Sequence, residues 1–517
     1  MAQTRPQDTW ISSAEDDDKV SFGAMADEVR RMAGHFAGLG VERGDRVAVW
    51  MFNGSDFVRV WLALGRLGAV AVLLNTELRG AFLTHQLNNS GAKLAVIDGG
   101  LLPAMNDCLP GLTHLSRLIV AGAHADETKP GLPLVDWRTW RQAPPWEGPM
   151  PRAHETACIM YTSGTSGPSK GVLMPHAHCA LYGVGAIECL QLQAGDKYYI
   201  PLPLFHANGL LMQLSATLLA GIPAVLRRRF SASAWLEDVR SSGATVTNHL
   251  GSTAAFVIAQ PPSANDRDHR LRAVLVAPNL AVHEEAFRQR FGVRDVVSGF
   301  GMTEVNIPIW GRLGAPAPNA AGWVHEKHFD VVIADPQTDS PVPHGELGEI
   351  LVRPKVPFGF MAGYHEMPDK TVEAWRNLWF HTGDAGTMAV DGLVTFVDRI
   401  KDCIRRRGEN ISATEVEQVV GSVPGVAEVA AYAVPSDLPG GEDEVMLALV
   451  LTAGYESTLE AIAAQADALL PRFAKPRFLR QMDELPKTAT GKVQRAALKK
   501  QGTRAALDRT TGLPSRG

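Results

Sequence analysis

Between Phe22 and Phe36 the apolar residues Ala26, Val29, Ala33 and Phe36 return every three or four positions, which predicts an amphipathic helix. After the turn-like "GLGVERGD" the pattern changes. "RVAVWM" is a short apolar run of strand type, followed by a helical segment near Asp56–Leu64, a second run "AVAVLL", another helix and a third run "KLAVID". The rhythm returns in "PAVLRRR", "ATVTNHL", "AVLVAP" and "DVVSGF", with helical segments between them. Such alternation predicts largely parallel sheets covered by helices, with ligands held in loops at the carboxyl ends of the strands. From Ala207 to Leu226 no residue is charged, and the stretch approaches the length of a membrane span. Gln213 and Ser215 interrupt it, and Gly221 and Pro223 break it, so a buried helix, a turn and a strand are predicted there instead.

Beyond "NAAGWVHEKHFD" the composition shifts to shorter β-like runs: "DVVIAD", "GELGEILVRP" and "GLVTFVD". A dense charge cluster, "RIKDCIRRRGEN", comes next. Ser412 and Glu415 then have the spacing of a capping box ahead of the helical "ATEVEQVVGSV". "AEVAAYAVP", "DEVMLALVLT", a helix from Glu456 to Leu470 and a last strand near Phe478 make a small α+β unit. A boundary at about Arg399–Asp402 gives a large α/β lobe of helix-covered sheets (1–400), a smaller α+β domain (401–505) and a tail (506–517), with fraying expected from Gly502. There is no internal repeat.

Composition narrows the function classes. The 517 residues are 45% hydrophobic and 20% charged, a globular balance with ample core. A net charge of −5 offers no basic surface for nucleic acid or an anionic membrane. Cys108, Cys158, Cys179, Cys189 and Cys403 are scattered without a CxxC pair, which supports neither a disulfide framework nor a zinc site of cysteines. Reduced thiols and a cytoplasmic location are the expectation. The first residues lack the apolar run of a secretory signal.

One stretch is built almost wholly from Gly, Ser, Thr, Pro and Lys: "YTSGTSGPSKG", from Tyr161 to Gly171. By composition it is either a linker or a loop that turns backbone N–H groups onto a phosphate. It is not a Walker A loop, because Lys170 is followed by Gly171 rather than by Ser or Thr. Its place between "ACIMY" and "GVLMP", both strand-like, suits a phosphate loop at a sheet edge.

The longer pattern "YTSGTSGPSKGVLMPH" resembles the phosphate-loop signature of the acyl-adenylate-forming superfamily of AMP-dependent ligases. "PLPLFHANG", "GFGMTE", "GELGEILVRP", "HTGDAG", "DRIKDCIRRRGENISATEVE" and "PKTATGKVQR" resemble its further motifs, in its order, so that the likeness runs from about Phe22 to Lys500. Within the superfamily the chain looks nearest to the crotonobetaine/carnitine–CoA ligase branch. The resemblance implies that ATP and Mg2+ are used to turn a carboxylic acid into an acyl-AMP, after which CoA or an amine accepts the acyl group. It also implies that the smaller domain is a mobile lid.

Residue by residue, the resemblance implies that Thr162, Ser163, Gly164, Thr165, Ser166, Gly167 and Lys170 hold the ATP phosphates. Thr303 would contact the α-phosphate and Glu304 would bind Mg2+. Phe300 and Gly301 would wall the adenine on one side and Ala277 and Pro278 on the other; Asp384 would accept the ribose hydroxyls, assisted by Arg399. His206 would orient the substrate carboxylate, and Lys492 would neutralise charge in the adenylation transition state. Lys401 aligns with the hinge of the lid. Asn208, Gly209, Gly299 and Asn306 would line the acyl pocket, which has no acid other than Glu304. A quaternary ammonium wants an aromatic cage or an anion, so carnitine fits poorly, while the small residues leave room for a bulky, even aromatic, acid.

Two positions depart from the family pattern: Arg407-Gly408, where many CoA ligases carry paired glycines, and Leu378, where Gly is common. Arg405, Arg406 and Arg407 form a basic cluster beside the hinge that would suit the nucleotide end of CoA. Three readings stand: a CoA ligase first, an ATP-dependent amide synthetase second, and a nucleotide or acyl-AMP sensor on the same fold third. Retention of Lys492, Glu304 and Asp384 disfavours the sensor.

Overall fold

The structure is a computed structural model that describes all residues except 123–130, 163–168, 400–403, 407–408, 412, 436–442, 456, 471–473, 488–490, 512 and 515–517; of Arg399, Arg405, Glu409, Asn410, Glu415, Leu513 and Pro514 it describes the backbone alone. The first predicted helix spans Phe22–Gly38, and the Ser21 hydroxyl accepts a hydrogen bond from Ala24 N at 3.2 Å. Phe22, Met25, Val29, Met32, Ala33 and Phe36 form its buried stripe. Burying one large apolar side chain contributes about 1.5–3 kcal/mol, against about 1 for a cap. The stripe therefore outweighs the cap in holding this segment helical.

Two largely parallel sheets and one antiparallel sheet make up the large lobe. In the first, the strands run in the order Gly363–Tyr364, Lys170–Pro175, Thr156–Thr162, Val70–Leu73, Arg46–Trp50, Leu94–Asp98, Arg117–Ala121, Leu134–Asp136. In the second they run Asp295–Val297, Ala273–Ala277, Val246–Leu250, Tyr198–Ile200, Ala224–Leu226, Thr9–Ser13, Lys19–Ser21. The third is antiparallel and includes Gly299–Met302, Asn306–Trp310, Gly348–Pro354, Trp379–Met388 and Leu393–Arg399. The chain leaves Tyr198–Ile200 toward Ala224–Leu226 on one side and then returns to Val246–Leu250 on the other. The strand order thus reverses between Tyr198–Ile200 and Val246–Leu250, and a crevice at such a reversal is where open α/β sheets bind ligands.

"DVVSGF", expected as one strand, is two. Asp295–Val297 closes the second sheet and Gly299–Met302 opens the third. At the corner Gly311 N donates to Ser298 O at 2.8 Å, and a Cβ on Gly311 would lie 2.8 Å from Ser298 N, so the two backbones meet too closely for any other residue. The uncharged stretch is a wide helical turn, Asn208–Leu214, then a helix, Ser215–Ala220, a left-handed Gly221 and the central strand Ala224–Leu226. Leu210, Leu211 and Leu214 are fully buried there, and no helix among the described residues is long and apolar enough to cross a membrane.

The smaller α+β unit carries a two-stranded ribbon, Ile404–Arg406 with Glu409–Ile411, and the helix Ala413–Gly421. The expected cap Ser412 lies outside the described residues. The next helix begins at Leu459, later than expected, because the Thr458 hydroxyl accepts from Ala461 N at 3.2 Å and sets its start. Its five-stranded sheet runs Val426–Val434, Glu444–Leu451, Phe478–Gln481, Leu507–Asp508, Leu513–Pro514. The expected fraying from Gly502 is therefore corrected. Leu507 pairs with Leu479, Ala506 is fully buried, and ion pairs join Arg477 to Asp508 (2.9 Å) and Arg509 to Asp467 (2.7 Å).

His249 illustrates how this core responds to acid. It is fully buried on Val246–Leu250, its Nδ1 lies 3.2 Å from Thr253 Oγ1, and burial lowers its pKa to about 3. In the unfolded chain it titrates near 6.5. Below that value the unfolded chain takes up a proton that the native state refuses, so stability present at neutral pH is lost as pH falls toward 3. The expected slope is about 1.4 kcal/mol per pH unit for this residue alone. Urea midpoints recorded from pH 7 down to 5 should fall, and His249→Gln should flatten that fall.

Candidate active site

Thr156–Thr162 and Lys170–Pro175 form an antiparallel hairpin, with Thr162 opposite Lys170. The glycine- and serine-rich segment 163–168 connects these two strands in the sequence. Ser163, Gly164, Thr165, Ser166 and Gly167 lie outside the described residues. The base of the hairpin is braced by the helix Gly80–Ser90: Gln86 Nε2 donates to Ser169 Oγ (3.1 Å), His85 Nε2 lies 3.1 Å from Ser169 O, and Tyr161 Oη donates to Asn89 Oδ1 (2.8 Å). This brace was not predicted, because nothing in Gly80–Ser90 resembles a motif.

Lys170 leads to Glu304 through one aromatic ring. Its Nζ stands 4.0 Å from the centroid of Tyr364, and Tyr364 Oη donates to Glu304 Oε1 at 2.9 Å. Tyr364 is placed by its strand, which pairs with Lys170–Pro175 so that Tyr364 faces Val172. Glu304 is 4% exposed, and no Lys, Arg or His among the described residues is in ion-pair reach of it. A buried carboxylate lacking a cation is costly, and it fits a cation that arrives with a nucleotide. Mg2+ binds through one or two carboxylates plus phosphate oxygens, so Glu304 is a suitable protein ligand.

The turn Thr303–Glu304 is seated from behind. Fully buried His178 has Nε2 2.9 Å from Thr303 O and Nδ1 2.6 Å from Gly359 O, and Tyr182 Oη donates to Met302 O at 2.8 Å. Burial lowers the pKa of His178, against the two carbonyl contacts. Asn306, expected in the acyl pocket, is occupied with the turn itself. It is buried at φ 69°, Nδ2 donates to His178 O (3.0 Å) and Oδ1 accepts from Ile307 N (2.9 Å). A Cβ on Gly301 would fall 2.1 Å from Asn306 O, so only glycine fits there, whereas at Gly299 it would find ordinary contacts at 3.5 Å.

Phe300 is half-buried and stacks on Phe396 with centroids 6.0 Å apart and planes 26° apart. Phe396 extends that aromatic face and was not predicted. Ala277 ends its strand, and Pro278 is exposed at the same carboxyl edge. Asp384 is 2% exposed and stands in register opposite Arg399. Its N donates to Thr382 Oγ1 at 3.0 Å, while Glu349 holds the bend by accepting from Gly383 N at 2.9 Å.

His206 and Asn208 follow Tyr198–Ile200, at the strand-order reversal. His206 is open to solvent, yet burial of its surroundings lowers its pKa to about 4, so it is neutral at pH 7. Across the reversal Asn248 Nδ2 donates to Asn208 Oδ1 at 2.8 Å, and Gln213 Nε2 donates to the same oxygen at 3.2 Å. Gly209 packs on the preceding segment; a Cβ there would lie 2.4 Å from Pro203 O. A cavity of about 830 Å³ lies elsewhere, against Met1, Trp10, Trp61 and Leu218, and contains none of these residues.

Lys492 is exposed beside left-handed Gly491, at the end of a loop closed by the bridge between Lys487 and Val493. The hinge candidate Lys401 lies outside the described residues. Of the basic cluster expected to suit the nucleotide end of CoA, Arg407 lies outside the described residues and only the backbone of Arg405 is described. Arg406 is 8% exposed, pairs with Glu444 at 2.6 Å and donates to Lys475 O at 2.7 Å, so it is spent inside the small domain. Leu378, one of the two departures, adopts φ 65° in the turn where glycine is common and is 79% exposed, so the departure is a local turn difference.

The family described as AMP-binding enzyme matches residues 1–365, and the AMP-binding enzyme C-terminal domain matches residues 415–492. The crotonobetaine/carnitine–CoA ligase of Salmonella paratyphi B is 30% identical over 493 residues, 93% of each chain. The o-succinylbenzoate coenzyme A synthetase (MenE) of Bacillus subtilis, solved with ATP and a magnesium ion, superposes with a TM-score of 0.80 at 25% identity, over 96% of this chain and 98% of that one. The anthranilate CoA ligase AuaEII, solved with anthranoyl-AMP, shares the fold with a TM-score of 0.81 at 24% identity, over 96% and 94%.

Proposed function

Because the chain belongs to the AMP-binding enzyme family, we propose that it is an AMP-forming acyl-CoA ligase acting on a carboxylic acid with an uncharged tail. The observation that carries this is the array Lys170–Tyr364–Glu304 at the mouth of the serine- and glycine-rich hairpin. It joins a cation and a cation-seeking carboxylate through one aromatic ring, an arrangement that suits a nucleotide triphosphate with its metal.

In the first half-reaction a carboxylate oxygen attacks the α-phosphorus of ATP. The bond to the β-phosphate oxygen breaks, pyrophosphate leaves with the electron pair, and an acyl-AMP mixed anhydride remains. No protein nucleophile is needed; positioning and charge neutralisation carry the step. The hairpin and Lys170 hold the departing phosphates. Neutral His206 donates a ring N–H to the substrate carboxylate without protonating it. Asp384 receives the ribose hydroxyls, and Phe300 with Phe396 offers the adenine a flat apolar face. Mg2+, held by Glu304 when bound, neutralises phosphate charge. Lys492 comes from the lid (401–505), which turns against residues 1–400 about Lys401. In the second half-reaction the CoA thiol gives up its proton to solvent, its sulfur attacks the acyl carbon, the bond from that carbon to the phosphate oxygen breaks, and AMP leaves with the electron pair.

The tail is proposed as uncharged because Asn208, Asn248 and Gln213 bond one another and supply no counter-charge. The test incubates the protein with ATP, Mg2+ and a panel of acids, with either CoA or a simple amine, and identifies products by mass. A thioester, with pyrophosphate released only when a competent acid is present, is expected. Amide formation without CoA, and no thioester with it, would replace the proposal by an amide synthetase. Absence of pyrophosphate release with every acid would point to a sensor.

A further inference from the structure

We propose that Glu188, His325 and His328 form a binding site for one late first-row divalent metal ion of the zinc class, separate from the nucleotide site. Glu188 lies near the end of the helix His176–Leu190, and the two histidines lie in the turn between Gly322–Val324 and Phe329–Ala334. Glu188 Oε2 is 3.0 Å from His325 Nε2 and 2.8 Å from His328 Nε2, and one ligand atom from each residue lies within 4.8 Å of the others. His328 N and Phe329 N both donate to His325 O, at 3.0 and 3.1 Å, and this tight turn carries the two rings to one side, with centroids 4.7 Å apart.

Donor type selects the ion. Two imidazoles and one carboxylate suit zinc, cobalt or nickel, whereas magnesium and calcium prefer oxygen alone. Ligand bonds of about 2.0–2.1 Å in a tetrahedron require donors about 3.3 Å apart. A shift of Glu188 by about half an ångström would therefore open the space. The side chains of His325, His328 and Glu188 are 13%, 10% and 28% exposed, enough for an ion to enter and for water to complete the shell.

The plain alternative is an ion-paired cluster with no metal. Lys327 bonds Glu188 Oε1 and supplies a positive charge, but it is 66% exposed on a flexible stem and leaves Oε2 to the histidines. The two readings differ in what joins the three side chains: protons on both Nε2 atoms, or a metal in their place. A metal would pin the far end of the helix whose His178 seats Thr303, so its role is structural.

The test uses the full chain without a histidine tag, stripped by chelator and titrated with Zn2+ or Co2+ in the absence of nucleotide. One ion per chain is expected, with a rise in Tm on the order of 3–5 °C at saturation and visible absorption from Co2+ in a tetrahedral site. His325→Ala and His328→Ala should each weaken binding at least about tenfold, and Lys327→Ala should bind as well or better. Failure of the wild-type chain to take up a stoichiometric ion overturns the proposal. So does binding that survives both histidine substitutions. Should those variants not fold, imidazole NMR of the wild-type chain decides: zinc must shift the His325 and His328 resonances, and unshifted resonances overturn the site.

Discussion

Lys492→Ala is expected to lower ATP–pyrophosphate exchange by about 10²–10⁴, the range for removal of a preorganised charge at a reacting centre. Such a loss corresponds to about 2.7–5.5 kcal/mol of transition-state stabilisation. The fold should not suffer, because Lys492 is exposed and surface substitutions usually shift stability by less than about 0.5 kcal/mol. The loop that carries it is pinned at its base by the Lys487–Val493 bridge and by Gln494 N donating to Pro486 O at 2.7 Å. Its charge can therefore be offered at a defined place while the side chain stays adaptable. Transfer of the acyl group from supplied acyl-AMP should fall far less if, as proposed, the lid then turns Lys492 away. An equal loss in both half-reactions would remove Lys492 from the adenylation step.

Glu304→Gln should cost about 10²–10³ in adenylation, measured as pyrophosphate exchange over a range of Mg2+ concentrations. The amide keeps the shape and can still accept from Tyr364 Oη, so the change removes charge and little else. The nucleotide-free protein should become no less stable, and its Tm may be compared directly, because the substitution relieves a buried carboxylate with no ion-pair partner among the described residues. Tyr364→Phe, which deletes the hydroxyl supporting that carboxylate, should lose about tenfold. If Glu304→Gln retains activity within about threefold, the metal is held elsewhere.

Much of the fold that surrounds the candidate site was legible because its signals are local. The strand runs at Arg46–Trp50, Val70–Leu73 and Leu94–Asp98 announce themselves by unbroken apolar residues, as buried parallel strands do. The glycine- and serine-rich stretch Tyr161–Gly171 stands out by composition, which leaves a linker or a phosphate loop open. What escaped depends on segments far apart in the chain. Tyr364 reaches Glu304 across 60 positions and His178 reaches Thr303 across 125, and no periodicity links them. Phe396 looked like one more apolar strand residue until its ring met Phe300. Arg406 misled for the opposite reason. A run of arginines reads as solvated charge, yet Glu444, on another strand of the small domain, draws one of them into the core. "DVVSGF" read as one strand because only Ser298 separates its two halves, at the corner that Gly311 permits.

The closing strands of the small domain also bear on how the protein behaves when it is cut. Leu507–Asp508 covers the outer side of Phe478–Gln481, and Arg480 reaches Gly502 O and Arg504 O at 2.8 and 2.7 Å. A chain ending at residue 505, where the motifs alone would place the limit of the domain, loses that cover and the buried Ala506 together. Phe478–Gln481 would then present an open row of amide and carbonyl groups beside exposed apolar side chains, a surface on which another copy can add a strand. Self-association of such a shortened chain would come from a bared sheet margin and would say nothing about the assembly of the intact protein.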